Sequence, residues 1–159
     1  ASGFAKERVI GMAGELDGAR LKFELARASG KEISSMRSAI VGPHSEEMIA
    51  LKNELGFEIS DEIFERAVQN TKYAGAQIGE LLGTSAYLAP AAGIVKIIKY
   101  ILFDTCGTLT CCVADRSGVP LGRFVSVGKM GAIERNFAYS GEFYEQLERM
   151  RASVAELKF

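Results

Sequence analysis

Residues 8–30, RVIGMAGELDGARLKFELARASG, decide the fold. RVIGM, residues 8–12, has the short apolar make-up of a strand. From Gly14 onward the apolar residues change period: Leu16, Ala19, Phe23 and Ala26 fall on one helical face. Gly30 follows the last periodic turn, where a left-handed cap ends a helix. A strand running straight into an amphipathic helix needs a sheet and further helices to cover it. The same stretch carries Asp17 and Arg20, three residues apart and therefore on one side of the helix.

Working outward, SMRSAIVGP (35–43) reads as a strand closed by a Gly-Pro turn. MIALKNELGF (48–57) reads as a strand followed by a loop. Ser60 is a helix N-cap residue type and opens a long helix, 61–83, that ends at Gly83. The segment 86–103 is so apolar that a second, more buried helix is expected there. TLTCCVADRSG (108–118) and LGRFVSVGKMGAIERNF (121–137) read as strands, with GKMG (128–131) as a hairpin bend. SGEFYEQLERMRASVAELKF (140–159) predicts an amphipathic helix with Phe143, Leu147, Met150, Val154 and Leu157 on its inner face. The expected architecture is α+β: one domain over 1–159, with a small, largely antiparallel sheet packed against long helices.

Composition narrows the function. The 159 residues are 48% hydrophobic and 25% charged, enough for one ordinary core. A net charge of −1 without basic clusters argues against a nucleic-acid or anionic membrane surface. Pro90, Lys96 and Lys99 interrupt the apolar run 86–103, which falls short of a membrane span. Cys106, Cys111 and Cys112 are odd in number and lack partner histidines for a zinc site. They are expected to be plain strand residues, buried or half-buried, of a protein in a reducing compartment, the cytoplasm. No GxGxxG follows a strand and no GxxxxGK[ST] occurs, so the chain carries no nucleotide-phosphate loop of its own. The opening ASGFAKERVIG has no initiator methionine, which fits either processing or a piece of a longer protein.

Two features carry chemistry. His44, in IVGPHSEEM (40–48), is the only histidine. It reads either as a strand-end residue with a satisfied ring or as a proton shuttle. Asp17 and Arg20 read either as a surface ion pair or as part of a site. Together they make a coherent constellation. A carboxylate that reaches the imidazole sets its tautomer, and the other ring nitrogen exchanges a proton with substrate. A guanidinium beside them captures a carboxylate in bidentate fashion.

Four motifs in register resemble the lactate/malate dehydrogenase family over nearly the whole chain. Residues 8–30 resemble the opening of its catalytic domain, VIG-x-x-x-x-LD-x-x-R. IVGPHSEEM falls where its Gly-x-His-Gly-Asp signature belongs, with Pro43, Ser45 and Glu46 replacing the flanking residues. GTSAYLAPAAGIVKIIKYIL (83–102) resembles its Gly-Ser-Ala-Tyr-Tyr-Ala-Pro-Ala helix, in the form typical of the lactate-dehydrogenase-like malate dehydrogenases. GRFVSVGKMGAIE (122–134) resembles its Val-Pro-Val-x-x-Gly-Lys-x-Gly-x-Glu strand pair.

The resemblance implies a catalytic, substrate-binding domain whose residues 1–7 are the tail of a preceding Rossmann-domain helix. It implies His44 as general acid/base, Asp17 as its partner and Arg20 as the anchor of the substrate carboxylate. Thr84 and Ser85 are implied in the substrate pocket; their alternative is a helix cap. It further implies NAD or NADP, bound mainly by an N-terminal nucleotide-binding domain, and a dicarboxylate or 2-keto-acid substrate. Malate is expected, with a place in the tricarboxylic acid cycle and a dimer or tetramer as the assembly. The chain alone is expected to be inactive. Lactate dehydrogenase is the nearest alternative. An NAD-dependent glycosidase would want metal-binding Cys and His residues, and a catalytically quiet oligomerisation module would not need Asp17 aimed at His44.

Overall fold

The computed structural model describes residues 3–156, apart from the side chain of Val154. The expected stripe residues Val154 and Leu157 therefore lie outside the described side chains. Four helices surround antiparallel strands, an α+β architecture. Helix α1 spans Gly14–Ser29 and closes on Gly30, whose N–H donates to the Ala26 carbonyl at φ 70°. Strands β1 (Ile40–Val41) and β2 (Ile49–Ala50) form a minimal ladder. Helix α2 is Asp61–Leu82; the Ser60 hydroxyl accepts from the Ile63 N–H, and Gly83 closes the helix in the left-handed region. Helix α3 is Leu88–Phe103. Strands β3 (Gly107–Ala114), β4 (Pro120–Gly128) and β5 (Gly131–Glu134) form a three-stranded meander, and α4 (Gly141–Glu156) follows. The GKMG hairpin is as expected, with Gly128 paired to Gly131.

Two bridges extend the sheet. Gly11 exchanges two 2.8 Å hydrogen bonds with Cys112 at the outer edge of β3. Gly42 exchanges bonds of 2.9 and 3.0 Å with Gly122, joining the β1–β2 ladder to β4. The expected strand 8–12 is thus only this bridge within extended backbone. The expected strand 35–43 contracts to Ile40–Val41, because Ile33–Ser35 is a 3-10 turn in which the Ser35 hydroxyl bonds the Glu32 carbonyl.

Packing changes two faces expected from periodicity. In α1 the buried residues are Leu16, Leu21 and Leu25 with Gly14, Glu15, Asp17 and Gly18, whereas Ala19 and Phe23 are exposed. The helix is rotated so that its small residues meet the strands. Helix α3, expected to be the more buried one, buries only Ile97 fully; Leu88, Leu102 and Phe103 are more than 70% exposed. Hydropathy reports how much apolar surface a helix has, not whether this chain covers it. Cys111 and Cys112 lie in β3, buried and half-buried, but Cys106 precedes the strand and is exposed, with φ 49°. Burial pushes the Cys111 thiol up to about 12, aided by the Glu15 charge, which makes it an inert packing group. Among the described residues no helix is long and apolar enough to cross a membrane.

Candidate active site

The first turn of α1 is acidic, with Glu15 and Asp17, where the helix macrodipole favours carboxylates. Both are buried and both are matched. Glu15 accepts from the Thr110 N–H at 3.1 Å and from Lys96 Nζ at 2.6 Å, which ties α1 to β3 and α3. Asp17, only 1% exposed, is the centre of the site. Its Oδ2 accepts from His44 Nδ1 at 2.6 Å, and its Oδ1 accepts from Arg20 Nη1 at 3.3 Å.

A carboxylate has only acceptors, so the short bond places the proton on His44 Nδ1. Nε2 is left free to accept or release a proton. The His44 side chain is 51% exposed, while that of Arg20 is 14% exposed. The buried carboxylate thus orients an open imidazole and a half-sheltered guanidinium. The arrangement suits proton exchange next to a bound anion.

Local structure explains how residues 27 apart in sequence meet. Gly18, beside Asp17, faces the strand-side residue Ser38; a Cβ at Gly18 would lie 1.8 Å from Ser38 Oγ and 2.9 Å from Ser38 Cβ. A glycine here allows α1 to lie close against the segment entering β1, and β1 runs directly into the His44 loop. The loop makes a tight turn in which Met48 N–H donates to the Ser45 carbonyl at 3.0 Å and Glu47 N–H to Ser45 Oγ at 3.2 Å. Its positive φ, 89°, is at Gly42, not at Ser45. The replacements at Pro43 and Ser45 are therefore accommodated without a left-handed non-glycine residue.

Of the five residues singled out from the sequence, the structure brings together His44, Asp17 and Arg20. Thr84 and Ser85 are exposed and make no hydrogen bond to the other three. Nor do they cap α3, whose N-cap is Tyr87 without a side-chain bond. Gly18 was not singled out; its signal was a glycine on an otherwise helix-favouring face, next to the carboxylate. The structure also holds a cleft of about 560 Å³ lined by Glu15, Lys22, Arg37 and Lys96 among others, but none of His44, Asp17 and Arg20 is in its walls. Burial, then the Lys96 charge, lowers the pKa of Lys22 there, with Glu15 opposing.

Comparison with known proteins gives a consistent family. The sequence pattern of the lactate/malate dehydrogenase α/β C-terminal domain matches residues 14–158. The chain is 35% identical to a malate dehydrogenase of Nitratiruptor sp. over 98% of its own length and 53% of the relative's. It is 32% identical to malate dehydrogenase 2 of Aquifex aeolicus, over 96% of this chain and 50% of that one. The chain thus spans about half the length of these curated relatives. Its fold superposes on the malate dehydrogenase of Aeropyrum pernix with a TM-score of 0.87 at 26% identity, covering 98% of this chain and 58% of that one. The Plasmodium falciparum malate dehydrogenase, solved in complex with NADH, shares the fold with a TM-score of 0.90 at 24% identity, over 98% of this chain and 58% of that one.

Proposed function

The chain belongs to the lactate/malate dehydrogenase family, and from that premise we propose that it is the substrate-binding and catalytic half of an NAD(P)-dependent malate dehydrogenase. The observation that carries the reading is the Asp17 carboxylate shared between His44 and Arg20. His44 Nε2 takes the hydroxyl proton of malate on oxidation and returns it on reduction of oxaloacetate. Asp17 holds the ring in the Nδ1–H tautomer and stabilises the imidazolium that forms. Arg20 anchors a substrate carboxylate through the guanidinium edge that Asp17 leaves free. Thr84 and Ser85 are assigned to a substrate pocket on family resemblance alone.

The nicotinamide cofactor, when bound, supplies the acceptor or donor of the hydride. The open ring of His44 fits an acceptor brought from outside this chain, and the absence of a glycine-rich phosphate loop in the sequence fits a nucleotide held mainly by an N-terminal domain. The exposed apolar side chains of α3, Leu88, Val95, Leu102 and Phe103, support coverage by that domain or by further subunits of a dimer or tetramer. Three unbridged cysteines support a reducing, cytoplasmic setting, and malate oxidation a role in the tricarboxylic acid cycle. Malate is favoured over lactate because the relatives cited above are malate dehydrogenases. The Asp17–His44 bond favours an active domain over a quiet interaction module.

The test compares the full-length polypeptide that carries this chain with the 159 residues alone. Full-length protein is expected to oxidise NADH or NADPH with oxaloacetate faster than with pyruvate, and His44→Gln to lose roughly 10²- to 10⁴-fold in kcat. The 159 residues alone are expected to give no turnover; NADH oxidation by them would sink the half-enzyme reading.

A further inference from the structure

The inner face of α4 presents Phe143, Gln146 and Leu147, which are 0%, 2% and 5% exposed. Phe143 and Leu147 belong to an apolar cluster with Val41, Ile49, Leu121 and Phe124. A long polar side chain between them is out of place by packing alone. Its Nε2 donates to the Glu47 carbonyl, and its Oε1 is buried without a partner. The amide is oriented by chemistry: a flipped group would set oxygen against the Glu47 carbonyl oxygen. Oε1 then lies 2.7 Å from where a Cβ on Gly42 would stand. One buried amide therefore touches both stems of the loop 42–47, with His44 in its middle.

We propose that Gln146 is a positioning residue for His44, its amide fixing the Glu47 stem of the loop so that the imidazole meets Asp17. The inference rests on the reading of His44 as the acid/base. The Gly42 stem is held by its reciprocal bonds to Gly122, whereas the Glu47 stem has no strand partner; β2 begins two residues later. Residues 44–47 are exposed, so solvent does not restrain them. Asp17 holds His44 itself and buried Met48 ends the loop; Gln146 is the buried polar side chain that holds the Glu47 carbonyl. From one turn further along α4, Arg149 meets the Glu47 carboxylate at 3.8 Å, an exposed contact that adds little. A partnerless buried Oε1 costs stability, so an apolar residue of the same length would suit the core better. The amide is explained by the loop it holds.

The test substitutes Gln146→Met in the full-length polypeptide, beside Asp17→Asn and His44→Gln. Three quantities are read: melting temperature, kcat and KM for oxaloacetate, and the His44 ring signals of [15N]histidine-labelled protein, assigned by their loss in His44→Gln. Gln146→Met is expected to keep or raise the melting temperature and to leave KM within about twofold. It should lower kcat on the order of 10- to 100-fold, the scale of a small misplacement of a reacting group. The Nδ1–H tautomer signal should weaken. A structural role alone would lower the melting temperature and leave kcat and the tautomer as they were, which overturns the proposal. If Asp17→Asn and His44→Gln also leave kcat intact, the acid/base reading itself fails; if they abolish turnover while Gln146→Met does not, only the role of Gln146 fails. The unaltered protein gives a reading that does not depend on any variant folding. Its Gln146 side-chain amide protons should be protected from solvent exchange, and free exchange would overturn the proposal.

Discussion

His44, Asp17 and Arg20 show how one buried carboxylate can orient an exposed imidazole and a largely buried guanidinium. Asp17 divides its two oxygens between an imidazole and a guanidinium, at 2.6 and 3.3 Å. The imidazole needs no burial of its own to be oriented. Arg20 is the residue whose proposed role separates most cleanly from structure, because a lysine keeps the charge but loses the planar fork. Arg20→Lys in the full-length polypeptide is expected to raise KM for oxaloacetate and lower kcat/KM by roughly 10- to 100-fold. That is the loss of a charged hydrogen bond worth about 1.5–3 kcal/mol. Steady-state kinetics checks this. An unchanged KM would remove Arg20 from substrate binding. Asp17 and Arg20 are legible as a pair from their spacing and His44 from its uniqueness; the bond between Asp17 and His44, 27 residues apart, is legible only through the family resemblance, since no local pattern encodes it.

At the scale of elements, helix α1 is the part on which the site depends. Its apolar periodicity announced a helix, and the helix is there. The periodicity did not announce the orientation, because Ala19 and Phe23 turned outward and Gly14 and Gly18 turned in. Close approach of backbones is decided by what faces what, and a glycine is silent on a hydropathy scale. Gly18→Ala tests the point. A methyl group there must displace Ser38, at a cost of about 1–3 kcal/mol from overpacking. Denaturant unfolding measures that loss. The displacement also carries Asp17 away from the His44 loop, so the variant should lose more turnover than its folded fraction accounts for. Helix α3 teaches the converse. Its apolar sequence was read as burial, yet most of that surface faces outward in this chain. Under the proposed function, such a face would take a partner surface.

For the whole molecule, Asp115 ties the β3–β4 turn to strand β4 and helix α4. It closes the β3–β4 turn by accepting from the N–H groups of Ser117 at 2.8 Å and Val119 at 3.1 Å. It also meets Arg123 of β4 at 3.4 Å and Arg151 of α4 at 3.2 Å. Burial opposes its charge, but the Ser117 hydroxyl, which donates at 2.6 Å, the two N–H bonds and the Arg123 guanidinium prevail and bring its pKa from 3.8 down to about 2. The folded chain therefore binds this proton more weakly than the unfolded chain. The associated stability is fully present above pH 4 and is lost as the pH falls from there towards 2. Its size is on the order of 2 kcal/mol. Acid unfolding of Asp115→Asn should accordingly show a shallower loss over that window than the parent protein, and an identical slope would refute the assignment.

The sequence by itself determined the helices, the hairpin and the family, but not the extent of the strands expected at 8–12 and 35–43. Caps at Ser60, Gly30 and Gly83, the hairpin at 128–131 and the period of each helix act within a few residues, and local physics is readable locally. It also supplied the three residues of the candidate site that meet in the structure, because only one histidine is present and the Asp–Arg spacing is helical. Tertiary structure alone decided which faces are buried and which of those residues meet. The rotation of α1, the exposure of α3, the exposure of Thr84 and Ser85, and the amide of Gln146 under the His44 loop all depend on contacts between distant segments. Those contacts are set by shape and close packing, which a one-dimensional pattern of polar and apolar residues does not encode.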